Sequence, residues 1–381
     1  MNPADCHDIA DLRRAARRRL PRGLFDYVDR GCDDDAGIAR NRAAFEALTF
    51  APRVLRGVAE RSTRADLFGH TLAMPAAVAP MSPAGLLWHE GEGKLAAAAR
   101  AAGIPYTLPT ESMTRLEDIA ATMAGAPWWF QLYIWADKAA SFHLLDRVAQ
   151  AGAQVLLLTV DTTVSPHRAF NHRSGFATPF RPRPRNLADM LLHPRWLAGT
   201  MGRYALTTGV PRMLNHPGQP GALAGGGPAT KLNGGITWDD VAALRRAWPG
   251  RLLVKGILRA DDARRAVEAG ADGVVVSNHG ARNLDGAMPS ITALPAVAAE
   301  IGRHATVLLD SGIRHGADIA RALALGADAV LLGRAVLYGL AGYGEAGAAR
   351  AIALLRHEFE TAMALLGAAT PAEITRDMVV P

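Results

Sequence analysis

Four stretches of the chain follow one grammar: an Ala-rich amphipathic run, a glycine, then a short apolar run. They read "GKLAAAARAAGIPYTL", "LLDRVAQAGAQVLLLTV", "DDARRAVEAGADGVVVS" and "DIARALALGADAVLLGR". A helical period that repeatedly gives way to an unbroken apolar strand specifies βα units on a parallel sheet covered on both faces. Eight runs have strand character, over residues 76–80, 104–108, 129–133, 155–160, 252–255, 274–277, 306–310 and 329–333. Eight is the number that closes a barrel, so the fold expected is α/β, a (β/α)8 TIM barrel. An open doubly wound sheet is the alternative on count alone.

The ends of these runs are polar. Gln131 and Tyr133 end the third, Thr159 and Asp161 the fourth, Lys255 the fifth, Ser277 and His279 the sixth. Asp310 and Ser311 end the seventh, and Gly333 and Arg334 the eighth. In a barrel the C-terminal strand ends open on one face, where active sites are built. Two segments depart from the repeat. Residues 1–75 read as a helical, Arg-rich lead-in containing "FDYVDRG". Residues 181–235 form a Pro- and Gly-rich insertion after the fourth strand, expected to be flexible apart from an amphipathic helix over 187–206 interrupted at Pro194. The remainder is expected to act with them as one domain, 1–381.

Bulk properties narrow the class. With 49% hydrophobic residues over 381 positions, a sizeable core can be buried and global disorder is excluded. No run of about 18 apolar residues occurs, so an ordinary membrane-spanning helix is not expected, nor is a secretory signal seen. Cys6 and Cys32 are the only cysteines and lie in no CxxC, which argues against a disulfide framework or metal site and for a cytoplasmic setting. The net charge of +6 would suit an acidic partner, yet no nucleic-acid module or aromatic-interleaved basic stripe appears.

The mouth residues suggest chemistry. "DSGIRHG" and "LGR" place glycines, backbone amides and arginines after strands seven and eight, the habitual phosphate site of such barrels. Lys255 ends an apolar run and should face something anionic or polarisable, a snorkelling lysine being the plain alternative. Asp161 and His279 end different strands and could pair across the mouth, the carboxylate fixing the imidazole's orientation. A lone histidine is more often structural. Here Arg282 three residues on, with Arg168 near the fourth strand, describes a pocket that grips a small carboxylate bidentately.

These residues resemble the FMN-dependent 2-hydroxy acid oxidases and dehydrogenases, and the similarity runs along essentially the whole chain. "SNHGARNLDG" is similar to the family's active-site signature, and "FQLY", "LTVDT", "LLVKG", "LDSGIRHGADIARALALGA" and "LLGRAVLYGLAGYGEAG" follow its pattern in order. The resemblance implies that His279 is the catalytic base and Asp161 its orienting carboxylate. It implies that Arg168 and Arg282, helped by Tyr27 and Tyr133, bind the substrate carboxylate, and that Lys255 sits by the flavin N1/O2 edge. Gln131, Thr159 and Ser277 would hydrogen-bond the isoalloxazine, with the backbone of Pro80, Met81 and Ser82 near N5. Asp310, Ser311, Gly312, Arg314, Gly333 and Arg334 would hold the ribityl chain and phosphate. Departures from the pattern are Asn283 for Gln, Met81 for Thr, Ser82 for Ala or Gly, Pro109 for Ser and Ala169 for Glu. Ser82 leaves open whether oxygen or another acceptor takes the electrons.

The function expected is FMN-dependent oxidation of a mandelate- or lactate-like (S)-2-hydroxy acid. An O2-using hydroxy acid oxidase is the nearer alternative. A different FMN barrel, such as a diphosphate isomerase, or a silent flavin-binding scaffold stands further off. Charge points to a surface as well. Between Arg181 and Lys231 lie seven basic residues and one acid, Asp189, an excess equal to the +6 of the whole chain. Leu191, Leu192, Trp196, Leu197 and Met201 accompany them, a composition suited to an anionic bilayer surface. A solvated active-site lid is the plain reading. The resemblance implies peripheral contact with the inner membrane face, quinone as acceptor and a homotetramer.

Overall fold

The computed structural model describes residues 2–176, 183–216, 221–222, 232–302 and 304–380. Eight parallel strands close on themselves: β1 (Ala76–Val78), β2 (Tyr106–Pro109), β3 (Trp128–Leu132), β4 (Val155–Thr159), β5 (Arg251–Ile257), β6 (Gly273–Val276), β7 (Thr306–Leu309) and β8 (Ala329–Leu332). β8 pairs with β1, through Val330 and Ala76, so the doubly wound alternative is excluded. Each strand lies within two residues of its sequence-based bounds.

The apolar runs divide by period two. Ala77, Trp129, Val155, Leu157, Leu253, Val275, Leu308 and Leu331 fill the barrel, while their neighbours Val78, Phe130, Leu156, Val254, Val274 and Val307 face the helices. Both faces are dry, which is why the strands carry no polar alternation. A hairpin, Ala65–Leu67 with His70–Leu72, plugs the N-terminal end, setting Phe68 edge-on to Trp129 with ring centroids 5.9 Å apart. The opposite end remains open as the mouth.

The lead-in is three helices, Ile9–Arg19, Arg22–Asp29 and Ala36–Glu46. Asp8 caps the first by accepting from Asp11 N. The segment is stitched to the loop after β6: Asn41 and Asn278 exchange side-chain hydrogen bonds at 3.1 and 2.7 Å, and Cys32 N donates to Ala281 O. Arg19 is 9% exposed yet has no carboxylate partner among the described residues. It donates to Leu87 O, Ala341 O and Thr200 Oγ1 and lies 4.0 Å from the Trp88 ring centroid.

In the described part of the insertion the expected helix over 187–206 is present, as Pro184–Leu191, Pro194–Trp196, a π-helical turn Leu197–Gly202 and Arg203–Thr207, followed by a short antiparallel pair of Arg212–Met213 with Gly221–Ala222. Pro194 opens the second helix, at the expected interruption. This helical part is docked by an inward stripe at i, i+4, i+8. Trp196, Thr200 and Tyr204 are 2%, 0% and 4% exposed. Trp196 Nε1 donates to Leu86 O at 2.7 Å, so this side chain faces the barrel and not the outer surface. Leu191, Leu192 and Leu206 are 70%, 78% and 88% exposed. Beside them Pro194, Leu197, Ala198, Met201, Gly202 and Ala205 line an apolar groove. The second half of the insertion, residues 217–220 and 223–231, lies outside the described residues.

Candidate active site

β6 ends because the backbone turns left-handed. His279, Gly280 and Ala281 have φ of 57°, 66° and 58°. A non-glycine residue in that region costs of order 1–3 kcal/mol and persists only when its surroundings hold it. Here Ser277 Oγ accepts His279 N at 3.0 Å and Asn278 Oδ1 accepts Ala281 N at 3.1 Å. The turn swings the imidazole across the mouth, where Nδ1 lies 2.8 Å from Asp161 Oδ1. A carboxylate beside Nδ1 keeps the proton there and leaves Nε2 as the free acceptor.

Asp161 reaches this position because residue 256 is glycine. The β5–β6 register slips between Lys255 and Ile257, Gly256 takes φ +110°, and a Cβ there would lie 2.6 Å from Asp161 Cβ. Burial pushes the Asp161 carboxyl up, but His279 and Lys255 outweigh it and hold it below its ordinary range. Lys255 Nζ lies 3.0 Å from both Ser277 Oγ and Asp310 Oδ2. Burial disfavours the ammonium, yet Asp310 and Asp161 more than offset it, so Lys255 stays a cation. In register it sits beside Thr159.

The opposite wall is crowded with guanidinium groups. Arg282 Nη1 donates to Tyr27 O at 2.7 Å and Arg30 O at 3.1 Å, and the group lies 4.8 Å from the Tyr27 ring centroid. Arg168 donates to Arg282 O at 2.9 and 3.3 Å. Arg334 donates to Val28 O, Gly280 O and Arg30 O, each at 2.9 Å. Burial, then repulsion from Arg168, pushes Arg282 down to about 10. Burial, then Arg282 and Arg314, pushes Arg334 down to about 9. Among the described residues none of Arg168, Arg282, Arg314 and Arg334 has a carboxylate within 4.0 Å. Cations concentrated without counter-ions make a site for anions.

The other sequence-derived residues surround the same opening. Pro80, Met81 and Ser82 are half-buried after β1, with Met81 Sδ against Gly333. The Tyr133 phenol is pushed up to about 12 by burial and then by Asp161. Ser311 Oγ donates to Asp310 Oδ1 at 2.7 Å and accepts Gly280 N at 2.8 Å. Gly312, at φ +105°, leaves room for Phe45, and Gly333 caps the helix Arg334–Tyr343. Arg314 lies 5.9 Å from the Tyr338 ring centroid. Sequence reasoning passed over Gly256, Thr162, Asn41 and Arg30. Only Thr162 and Gly256, each directly following a residue already singled out, carried a local signal.

A family model described as FMN-dependent dehydrogenase matches residues 16–381. The chain belongs to that family. This FMN-dependent dehydrogenase is 43% identical over 372 residues to an L-lactate dehydrogenase of Azorhizobium caulinodans, with 97% of each chain covered. It overlays a crystal structure of the monotopic membrane protein (S)-mandelate dehydrogenase with a TM-score of 0.93 at 34% identity, covering 99% of both chains. A mandelate oxidase mutant with (S)-mandelic acid overlays at 0.82 with 37% identity, covering 98% of each chain.

The mouth of this dehydrogenase fits FMN. Gln131 Nε2 and Thr159 Oγ1, at the ends of adjacent strands β3 and β4, are buried with no hydrogen-bond partner among the described residues. Buried polar atoms are nearly always satisfied, so orphans lining one opening mark where a polar ligand sits. Lys255 lies between them and the counter-ion-free arginines, giving donors, a cation and an anion site in one cleft.

Proposed function

We propose that this protein oxidises an (S)-2-hydroxy acid of the lactate or mandelate type to the 2-oxo acid. The observation that carries the reading is the Asp161–His279 pair, 2.8 Å apart, near the desolvated Arg282 guanidinium and the Arg168 guanidinium bonded to the Arg282 carbonyl, neither with a carboxylate within 4.0 Å among the described residues. A 2-hydroxy acid has the matching parts, a carboxylate and a hydroxyl on adjacent carbons. Arg282 and Arg168 hold the carboxylate, with Tyr27 packed against both guanidinium groups and Tyr133 closing the same wall. That places the hydroxyl near His279 Nε2, which takes the proton that the alcohol loses. Asp161 steadies the imidazolium so formed. FMN, when bound, supplies the two-electron acceptor. Gln131, Thr159, Ser277 and the backbone of Pro80, Met81 and Ser82 hold its ring system. Lys255 offers positive charge beside it. Asp310, Ser311, Gly312, Arg314, Gly333 and Arg334 hold its side chain and phosphate.

The exposed Leu191, Leu192 and Leu206, with Arg185, Arg195 and Arg203 exposed on the same helices, support a second part of the reading. The protein rests peripherally on an anionic membrane and passes electrons to a quinone. No helix among the described residues is long and apolar enough to cross a membrane. The test is anaerobic mixing of the purified flavoprotein with (S)-lactate, (S)-mandelate and their R enantiomers. Bleaching of the flavin by the S acids alone is expected. Failure of every 2-hydroxy acid to bleach it overturns the reading. Reoxidation by oxygen, dye and vesicle-borne quinone then ranks the acceptors.

A further inference from the structure

The base and its carboxylate are not isolated. Thr162 Oγ1 lies 3.2 Å from Asp161 Oδ1 and 3.5 Å from His279 Nδ1. The same oxygen accepts a 2.7 Å hydrogen bond from Asn283 Nδ2, which also donates to Asp161 O at 2.9 Å.

Hydrogen-bond polarity fixes how this cluster is wired. A backbone carbonyl only accepts, so the Asn283 amide must turn its nitrogen toward Asp161 O. That nitrogen has two protons, one for Asp161 O and one for Thr162 Oγ1. Thr162 therefore receives a proton from Asn283 and has its own to give. His279 Nδ1 carries a proton when it donates to Asp161, so it offers Thr162 no acceptor. The carboxylate oxygen Asp161 Oδ1 does. Its sister Oδ2 is buried with no partner among the described residues, so all the hydrogen bonding of the Asp161 carboxylate converges on Oδ1.

We infer that Asn283 and Thr162 are positioning residues that set the basicity of His279 by loading Asp161 with a second donor. The inference rests on His279 being the base. A carboxylate that already accepts one hydroxyl proton pulls less strongly on the imidazole proton. The Thr162 hydroxyl thus bears on how readily His279 accepts the substrate proton.

The test is the pH dependence of flavin reduction by substrate in the FMN-loaded enzyme, recorded as kcat/KM. Thr162→Val removes the second donor, leaves Asp161 more basic toward His279, and moves the acid limb upward by roughly half a pH unit or more. Asn283→Leu frees the hydroxyl to rotate and moves the limb the same way by less. Thr162→Ser, which restores a hydroxyl at the same place, returns the limb to its wild-type position whatever it does to the rate. A variant that merely loosened the fold would lower the rate without moving the limb. A limb unmoved in Thr162→Val, while His279→Gln abolishes it, overturns this inference and leaves the base assignment standing. A limb that survives His279→Gln overturns both.

Discussion

The barrel mouth and the insertion are both built after strand ends, yet they are finished in opposite ways. At the mouth the base, the turn that carries it and the lysine are each tied to another side chain. His279 is held by Asp161, Lys255 by Asp310 and Ser277, and Asn278 by Asn41 from the distant lead-in. The insertion is fastened on one side only. Trp196, Thr200 and Tyr204 point inward and Asp189 accepts Arg22 N at 2.7 Å, while Leu191, Leu192, Leu206, Arg185, Arg195 and Arg203 are exposed. Groups that must meet a small substrate in fixed geometry are preorganised by a supporting shell. An exposed apolar row rimmed by cations is the kind of surface that the proposed membrane contact would use.

That contrast can be broken by experiment. The largest expected effect is at the mouth. His279→Gln should retain FMN and slow flavin reduction roughly 10²–10⁴-fold, measured by stopped-flow bleaching; a near wild-type rate would undo the assignment. Next, Arg185→Gln, Arg195→Gln and Arg203→Gln together remove three charges worth about 1 kcal/mol each near an anionic surface. Co-sedimentation with anionic vesicles at low salt should fall by about 10²-fold, with dye-linked turnover unchanged. If the wild-type protein never sediments with vesicles, the insertion is no membrane surface. Arg282→Lys keeps the charge and loses the fork, a difference of about 1.5–3 kcal/mol for charge-assisted bonding. We expect kcat/KM to fall roughly 10- to 100-fold; equal reactivity of acid and amide substrates would refute the carboxylate grip. The smallest effect falls on the seam between the two regions. Arg19→Lys, with fewer donors for Leu87 O, Ala341 O and Thr200, should lower stability by about 1 kcal/mol in urea unfolding. It should also speed proteolysis within the insertion more than within the barrel.

The barrel was legible because its signal is local and repeated. Each βα unit announces its own strand, and closure follows from the count. The mouth residues were legible because a polar side chain directly after "LLLTV" or "VVVS" can only stand at a strand end. What could not be read were contacts between segments far apart in sequence. Nothing in "DDDAGIARN" says that Asn41 will clasp Asn278, and nothing around Val28 or Arg30 says that their carbonyls will receive Arg334 and Arg282. Gly256 was overlooked because a glycine after a strand lysine looks like a turn residue. Its function appears only once Asp161 occupies the space a Cβ would need. In the insertion the helix over 187–206 was legible but not its docked face: Trp196 was grouped with the outward leucines, and it packs inward with Thr200 and Tyr204.

Arg19 has a consequence for how the chain is made. The helix that carries it is made before all three of its acceptors, which follow at residues 87, 200 and 341. Until the last has been synthesised, burying this guanidinium would strand part of its donor set away from water, so the nascent helix should stay wet and undocked until then. A segment made before the barrel should thus be installed after it. Ribosome-stalled chains ending before residue 341 should leave Arg19 open to guanidine-modifying reagents, and chains carrying the helix Glu345–Leu366 beyond the exit tunnel should protect it.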